Sequence, residues 1–320
     1  MEGRKAVKRD SKAVAHRESL GVTLRRDFIR HRGIYLMFIP VIVYFVLFHY
    51  MPLYGAQIAF KDYTPSRGIE ASRWVGMKHF NSFFNGLYFT RLLRNTLLLS
   101  LFQLLFGFPA PIILALLMNE LRWKPFKKFV QSVTYMPYFI SLMVVCSLII
   151  NFTSMNGLIN DIIVFFGGER TSLLLDPKYY RTIHVASGVW QNMGWNSIVY
   201  MAALSAIDQQ LYEAAIIDGA DRWQQTLHVT IPGLAPTIVI MLIMRMGQIM
   251  NVGFEKVILL YNQATYETAD VISSFVYRKG LQEASYSFSA AVGLFNSVVN
   301  TVLLVGANSI SRKLNETSLF

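Results

Sequence analysis

Residues Glu213–Pro232 read Glu-Ala-Ala-Ile-Ile-Asp-Gly-Ala-Asp-Arg-Trp-Gln-Gln-Thr-Leu-His-Val-Thr-Ile-Pro. This polar stretch lies between two long apolar segments of the chain. A connection between two helices of a bundle needs only a few residues. An insert of this length with its own helix signals therefore indicates a structured docking surface.

Local signals predict that this region forms a helix-turn-helix hairpin. Asp208 is placed to cap a first helix, Gln209–Ile217, because its carboxylate can accept hydrogen bonds from free amides of the first turn. Asp218-Gly219 is typical of a turn, since glycine readily adopts positive φ. A second helix is predicted over about 221–230 and is expected to end at Pro232, which lacks an amide donor.

The composition of the whole chain is that of a membrane protein. Of its 320 residues 53% are hydrophobic and only 15% are charged, and the mean hydropathy is +0.38. A helix needs roughly 17–25 mostly apolar residues to cross the hydrocarbon layer. Six segments meet that length, and they predict an all-α polytopic bundle with six transmembrane helices: about 33–54, 95–118, 131–151, 182–204, 235–252 and 287–309.

The net charge of +11 is explained by topology and not by nucleic acid. With these six spans, most of the 30 Lys and Arg residues fall in 1–32, 119–130, 205–234 and 310–320, which share one side of the membrane. Positive residues favour the cytoplasmic side. Both termini and the hairpin are therefore expected in the cytoplasm, and no nucleic-acid partner is expected.

These spans divide the chain into a basic cytoplasmic tail (1–32), a permease domain (33–312) that contains the docking loop 205–234, and a C-terminal tail (313–320). The tail 1–32 either lies near anionic lipid headgroups or serves only as an orientation signal. The first apolar run is too long for a signal-peptide core and lacks an Ala-x-Ala site, so we expect an uncleaved anchor. The single cysteine, Cys146, excludes an internal disulfide, and we expect it to be packed and inert.

Polar side chains at helical spacing in spans four and five are the candidates for a substrate pathway. They are Gln191, Asn192, Trp195, Asn196, Arg245, Gln248 and Asn251. Polar groups in hydrocarbon are costly unless they are paired, so we expect these residues to face the interior of the bundle. Structural pairing of Arg245 and simple packing of Trp195 remain the alternatives to substrate contact.

The hairpin carries a family resemblance. Glu213-Ala214-Ala215, then Gly219, Val229 and Ile231-Pro232 follow the spacing of the loop that is typical of membrane subunits of binding-protein-dependent ABC importers. That family usually has Ile and Leu where this chain has Val229 and Ile231. Both departures keep an aliphatic side chain. The chain therefore resembles an inner-membrane permease subunit of a type I ABC importer.

Further motifs are similar to one branch of that family. Gly157-Leu-Ile-Asn, Leu211-Tyr-Glu-Ala-Ala and Ile231-Pro-Gly-Leu-Ala-Pro resemble the carbohydrate branch. Met51-Pro-Leu-Tyr-Gly and Val252-Gly-Phe-Glu-Lys resemble a narrower oligosaccharide and polysaccharide subgroup, which includes the first permease subunit of the bacterial alginate importer. The resemblance covers about residues 30–312.

The resemblance implies how such a chain is used. A docking hairpin of this family sits in a cleft of a cytoplasmic ATPase, and the coupling residues would be Glu213, Ala214, Ala215, Asp218, Gly219, Ala220 and Pro232. The implied partners are two ATPase subunits, a second homologous permease, an extracytoplasmic solute-binding protein, a carbohydrate and membrane lipid, in a bacterial cytoplasmic membrane. ATP and magnesium would be held by the ATPases, since this chain has no Gly-x-x-x-x-Gly-Lys-[Ser/Thr] loop. No cofactor or metal site of its own is expected.

Two other classes of protein are less compatible with the sequence. A self-powered secondary transporter or channel commonly uses intramembrane carboxylates, whereas all 19 Asp and Glu residues fall outside the six predicted spans. A membrane enzyme would need catalytic residues, but no His-Glu-x-x-His or Gly-x-Ser-x-Gly motif occurs and the six histidines are scattered. The chain is therefore expected to be a transport subunit and not an enzyme.

Overall fold

A computed structural model describes residues 30–315, and this part of the chain is mostly helical. It falls into two compact units, one up to Gln57 and one from Ile58. In chain order the α-helices are α1 (Arg32–Phe45), α2 (Lys78–Phe84), α3 (Phe89–Phe102), α4 (Pro109–Glu120), α5 (Lys124–Tyr135), α6 (Leu142–Thr153), α7 (Leu158–Phe165), α8 (Pro177–Ser205), α9 (Gln209–Ile217), α10 (Arg222–Gln225), α11 (Ile231–Met246), α12 (Phe254–Leu260), α13 (Tyr266–Ala269), α14 (Ile272–Tyr277) and α15 (Tyr286–Asn315). Two short strands, β1 (Lys61–Asp62) and β2 (Arg73–Trp74), pair antiparallel in the segment that precedes α2.

Five helical segments within residues 30–315 are long and apolar enough to cross a membrane. They are Arg32–Phe60, Phe89–Glu120, Leu142–Phe165, Arg222–Met246 and Tyr286–Lys313. The predicted fourth span, 182–204, lies within α8, whose 29 residues give a length of about 43 Å. α8 is not among the five segments because polar residues such as Gln191 and Asn196 interrupt its apolar sequence.

The third predicted span, 131–151, is wrong as a single helix. The structure ends α5 at Tyr135, continues through a 3-10 turn at Met136–Phe139, and starts α6 only at Leu142. Two local signals cause the break. Pro137 lies in the turn, and the Ser141 hydroxyl accepts a hydrogen bond from the Val144 amide at 3.4 Å, which caps a new helix.

Pro232 does not end the second hairpin helix, contrary to the sequence-based expectation. α10 passes through a π turn, Thr226–Thr230, directly into α11. The Ile231 amide donates to the Thr226 carbonyl five residues earlier. This wider turn ends two residues before Pro232, which has no amide hydrogen to donate. Pro109 likewise stands two residues after a π turn, Gln103–Gly107. Proline is therefore accommodated in a continuous helix by local widening.

Helix α8 lies at the centre of the larger unit. Tyr180 and Val185 pack in one buried cluster with Cys146, and Tyr200 packs in another with Leu234. Cys146 is buried, as expected. Glycine lets α5 approach α8 closely, since a Cβ on Gly194 would lie 2.0 Å from the Thr134 carbonyl oxygen. No larger residue fits at Gly194 without a backbone shift.

Candidate functional site

The first helix of the hairpin has the predicted limits. Asp208 accepts a hydrogen bond from the Gln210 amide at 3.0 Å and starts α9, Gln209–Ile217. Gly219 has φ of +79°, in the left-handed region that favours glycine. Its amide donates to the Ile216 carbonyl at 3.0 Å and closes the helix. The predicted turn is therefore present.

The second helix of the hairpin is capped at its start. The Asp221 carboxylate accepts from the Gln224 amide at 2.7 Å, and the Gln224 side chain accepts from the Asp221 amide at 2.8 Å. This reciprocal pair is a capping box. The two helices are joined by a hydrogen bond of 3.0 Å between the Tyr212 and Thr230 hydroxyls. The hairpin is thus held by its own polar contacts.

The surface of the hairpin is apolar and acidic. Ile217 is 86% exposed and Trp223 is 68% exposed. Glu213 and Asp218 are also exposed, and neither takes part in an ion pair among the described residues. Exposed apolar side chains grouped with charged ones are typical of a protein interaction surface.

One ion pair ties the hairpin to the rest of the bundle. The Arg222 guanidinium lies 2.7 Å from the Glu120 carboxylate, and both side chains are about half exposed. Glu120 is the last residue of α4. The contact therefore joins the hairpin to the short basic connection that precedes α5.

The candidate pathway residues of α8 differ in burial. Gln191 is buried, and the Asn192 amide donates to the Gly188 carbonyl at 2.9 Å. Trp195 stacks on Tyr138 with ring centroids 4.7 Å apart, yet 38% of it is exposed. Asn196 is exposed. The expectation that all four face the interior of this chain is wrong for Trp195 and Asn196.

The candidates of the fifth span do not share one helix face. α11 ends at Met246, so Gln248 and Asn251 lie in the turn beyond it, where amides bond three residues back. Gln248 is exposed, and Asn251 accepts from the Asn296 amide at 3.3 Å. Arg245 remains on the helix and donates to the Gln103 side-chain oxygen at 2.6 Å. The predicted three-residue spacing therefore does not align these side chains.

A buried polar network continues from Gln103. Its amide nitrogen lies 3.1 Å from Nε2 of His184, and the Lys256 ammonium donates to the His184 carbonyl at 2.9 Å. His184 and Lys256 are both buried. The histidines are scattered in the sequence, and no functional prediction was made for His184. Gln103, a polar residue inside the apolar run 95–118, was the available signal for this network.

A second buried cluster surrounds Asp270. Its two carboxylate oxygens accept from the two terminal nitrogens of Arg278 at 2.8 and 2.7 Å, and Arg91 lies 3.5 Å away. Burial lowers the pKa of Arg278, but its hydrogen bonds to Asp270 and Tyr261 outweigh that effect and raise the pKa above its ordinary value. Arg91 and Asp270 are 179 residues apart in sequence, so no local pattern predicts the contact.

Within residues 30–315 no group of three or more His, Cys, Asp or Glu side chains is arranged to hold a metal ion. The structural features that stand out are the exposed hairpin and the buried polar clusters.

Comparison with known proteins places these features in a family. Residues 91–316 match the family described as "Binding-protein-dependent transport system inner membrane component". The Bacillus subtilis protein LplB is 43% identical over 94% of this chain and 95% of its own length. The polygalacturonan/rhamnogalacturonan transport system permease protein YteP of the same organism is 44% identical over 91% of both chains.

Solved structures agree with these relatives. One is a bacterial ABC transporter involved in the import of the acidic polysaccharide alginate; its chain is 43% identical, with a TM-score of 0.85, and the match covers 92% of this chain and 99% of that chain. Another is the alginate transporter in complex with an alginate pentasaccharide-bound periplasmic protein, at 42% identity and a TM-score of 0.86, over 94% and 100% of the two chains. This chain belongs to the family of inner-membrane components of binding-protein-dependent transport systems, and it is a multi-pass protein of the inner membrane.

Proposed function

We propose that this chain is the transmembrane permease subunit of an ATP-driven importer for oligosaccharides or polysaccharides, and that it forms half of the translocation pathway. The names of two relatives, a polygalacturonan/rhamnogalacturonan and an arabinooligosaccharides transport system permease protein, and the alginate importer structures support a carbohydrate substrate. The observation that carries the proposal is the exposed hairpin, whose apolar tip and acidic residues have no partner surface within residues 30–315.

The proposed topology has six spans with both termini in the cytoplasm, within a permease domain over residues 33–312. α8 is the sixth proposed span, in addition to the five apolar segments. Its polar side chains are tolerated because they face a pathway or a neighbouring subunit and not lipid. The positive-inside rule puts the hairpin, residues 205–234, on the cytoplasmic side.

The hairpin is the proposed point of energy coupling. Glu213 and Asp218 offer charges to a basic surface of an ATPase, and Ala214, Ala215 and Ala220 allow close approach of its backbone. Pro232 lies in the continuous helix from α10 to α11, which joins the hairpin directly to a membrane span. ATP and magnesium belong to two separate ATPase subunits, and this chain itself is not an enzyme.

The pathway is proposed to form between this chain and a second, homologous permease. Trp195 and Asn196 are exposed here, and a polar exposed face in a membrane span fits a subunit contact or a water-filled path. An extracytoplasmic binding protein would deliver the saccharide; the alginate transporter complex with its periplasmic protein supports such a partner.

The hairpin can be tested with a matched pair of substitutions. Ile217→Asp puts a charge into the proposed apolar contact, whereas Leu87→Asp puts the same charge at an even more exposed site, 95%, on the opposite side of the membrane. In proteoliposomes that contain the assembled importer, Ile217→Asp is expected to reduce ATP-driven uptake at least tenfold while both variants insert normally. Unchanged uptake by Ile217→Asp would reject the docking function.

A further inference from the structure

Helix α8 carries one strip of residues from its outer end toward the middle of the membrane. Arg181, Val185, Asn192 and Asn196 are separated by four, seven and four residues, so they lie on one face of the helix. Asn192 and Asn196 are also candidate pathway residues. Arg181 therefore stands at the outer end of the face that the pathway would use.

A cavity with a volume of about 510 Å³ opens on this strip. Its walls are two aromatic rings and several aliphatic side chains, with a single guanidinium: Phe102, Phe106, Arg181, Thr182, Val185 and Val189. Pockets of this kind bind a ligand through apolar contact and use few polar groups to orient it. The one charged group here is a cation.

The charge at this cavity is not neutralised by a buried carboxylate. Arg181 donates to the neutral Asn95 side chain at 2.9 Å, and its Nε is buried without a hydrogen-bond partner among the described residues. Arg94 is exposed and close enough to repel Arg181 electrostatically. Asp270 is already bound to Arg278. Glu267, whose carboxylate attracts Arg181 electrostatically, is exposed.

We propose that Arg181, assisted by Arg94, binds a carboxylate of an acidic saccharide at the outer entrance of the pathway. A guanidinium matches the planar geometry of a carboxylate and can bind it through two hydrogen bonds. The rings of Phe102 and Phe106 offer apolar surface to the C–H face of the same sugar. This inference rests on the proposed function and adds a substrate class, uronic-acid oligosaccharides, and the residues that select it.

The charge of the entrance can be measured by thiol labelling at Thr182→Cys, because Thr182 is exposed at the cavity. The assembled importer in nanodiscs is reacted with an anionic and a cationic methanethiosulfonate; the wild type, whose only cysteine is buried, is the blank. We expect the anionic reagent to react about tenfold faster. Arg181→Gln and Arg94→Gln should each move the ratio of the anionic to the cationic labelling rate toward one. Arg73→Gln removes an exposed arginine of strand β2 and should leave the ratio unchanged.

The ligand class is tested by protection of the same cysteine. Tetragalacturonate should slow labelling, and its methyl ester should not; Arg181→Gln should abolish protection and Arg181→Lys should restore it in part. Lack of labelling by either reagent, or equal protection by acid and ester, would overturn the inference. So would protection by phosphatidylglycerol nanodiscs with no effect of galacturonate, since the site would then bind lipid phosphate.

These outcomes are separable from failure of the proposed function. If the wild-type importer in proteoliposomes shows no ATP-driven uptake of any oligosaccharide, the proposed function fails whatever the labelling shows. If uptake is present but Arg181→Gln keeps the labelling ratio and the same preference for acidic over esterified substrate, only the carboxylate site fails.

Discussion

The hairpin (205–234) and the segment 253–286, called the outer segment from its proposed side of the membrane, use their polar residues in opposite ways. The outer segment buries charge: Asp270 is fully buried against Arg278, and Lys256 is buried against the His184 carbonyl. The hairpin exposes charge, with Glu213 and Asp218 both in solvent.

The apolar residues of the two segments show the same contrast. Val257 and Ile272 of the outer segment are fully buried, whereas Ile217 and Trp223 of the hairpin are mostly exposed. A segment whose interactions are completed inside its own chain contributes to stability. A segment that leaves its apolar and charged groups exposed is suited to contact with another chain.

The largest expected effect is a difference in unfolding stability between a variant of the outer segment and a variant of the hairpin. Asp270→Asn removes a buried charge and leaves Arg278 without its counter-ion, which should destabilise the protein by about 3–5 kcal/mol. The exposed Asp218→Asn should change stability by less than about 0.5 kcal/mol. Unfolding in detergent can be followed with a thiol-reactive dye, since Cys146 is the only cysteine and is buried. Equal melting temperatures for the two variants would contradict the distinction.

An intermediate effect is expected from backbone strain in the hairpin. Gly219 and Gly167 both have positive φ, +79° and +85°, and a Cβ at either position meets no neighbouring atom. Alanine should therefore cost about 1–2 kcal/mol of local strain at each site. Only Gly219→Ala should lower the coupling of ATP hydrolysis to uptake, measured as substrate transported per ATP. An equal loss in Gly167→Ala would show that strain alone, and not the hairpin, is responsible.

The smallest expected effect concerns the ion pair at the base of the hairpin. Arg222 and Glu120 are both substantially exposed, so their pair should contribute only about 0.2–1 kcal/mol. A double-mutant cycle with Arg222→Ala and Glu120→Ala, measured by thermal unfolding at low salt, gives this coupling energy. The coupling should vanish at 1 M salt. A coupling energy that persists at 1 M salt would contradict this expectation, because the exposed Arg222–Glu120 pair would then behave like the buried Asp270–Arg278 pair.

Local signals made much of the hairpin predictable. Asp208 and Gly219 define the two ends of α9 through contacts within a few residues, and both act in the structure as expected. The prediction that the helix ends at Pro232 was wrong because the effect of the proline depends on the π turn before it. Neither composition nor periodicity indicates the hydrogen bond from the Ile231 amide to the Thr226 carbonyl that forms this turn.

The parts that the sequence did not predict depend on distant contacts. The partner of Arg245 is Gln103, 142 residues away, and the buried Asp270 meets Arg91 from another helix. Hydropathy also treated residues 131–151 as one span, although Pro137 and Ser141 break the helix there. Length and apolarity alone cannot show where a helix restarts inside an apolar run.

The central claim, that this chain transports saccharide only when coupled to separate ATPases through the hairpin, is tested most directly by ATP-dependent uptake. Proteoliposomes would contain either this chain alone or the chain assembled with a second permease, two ATPases and the binding protein. We expect no uptake by the chain alone and ATP-dependent uptake by the assembly, which Glu213→Lys abolishes. ATP-independent uptake by the chain alone would contradict it.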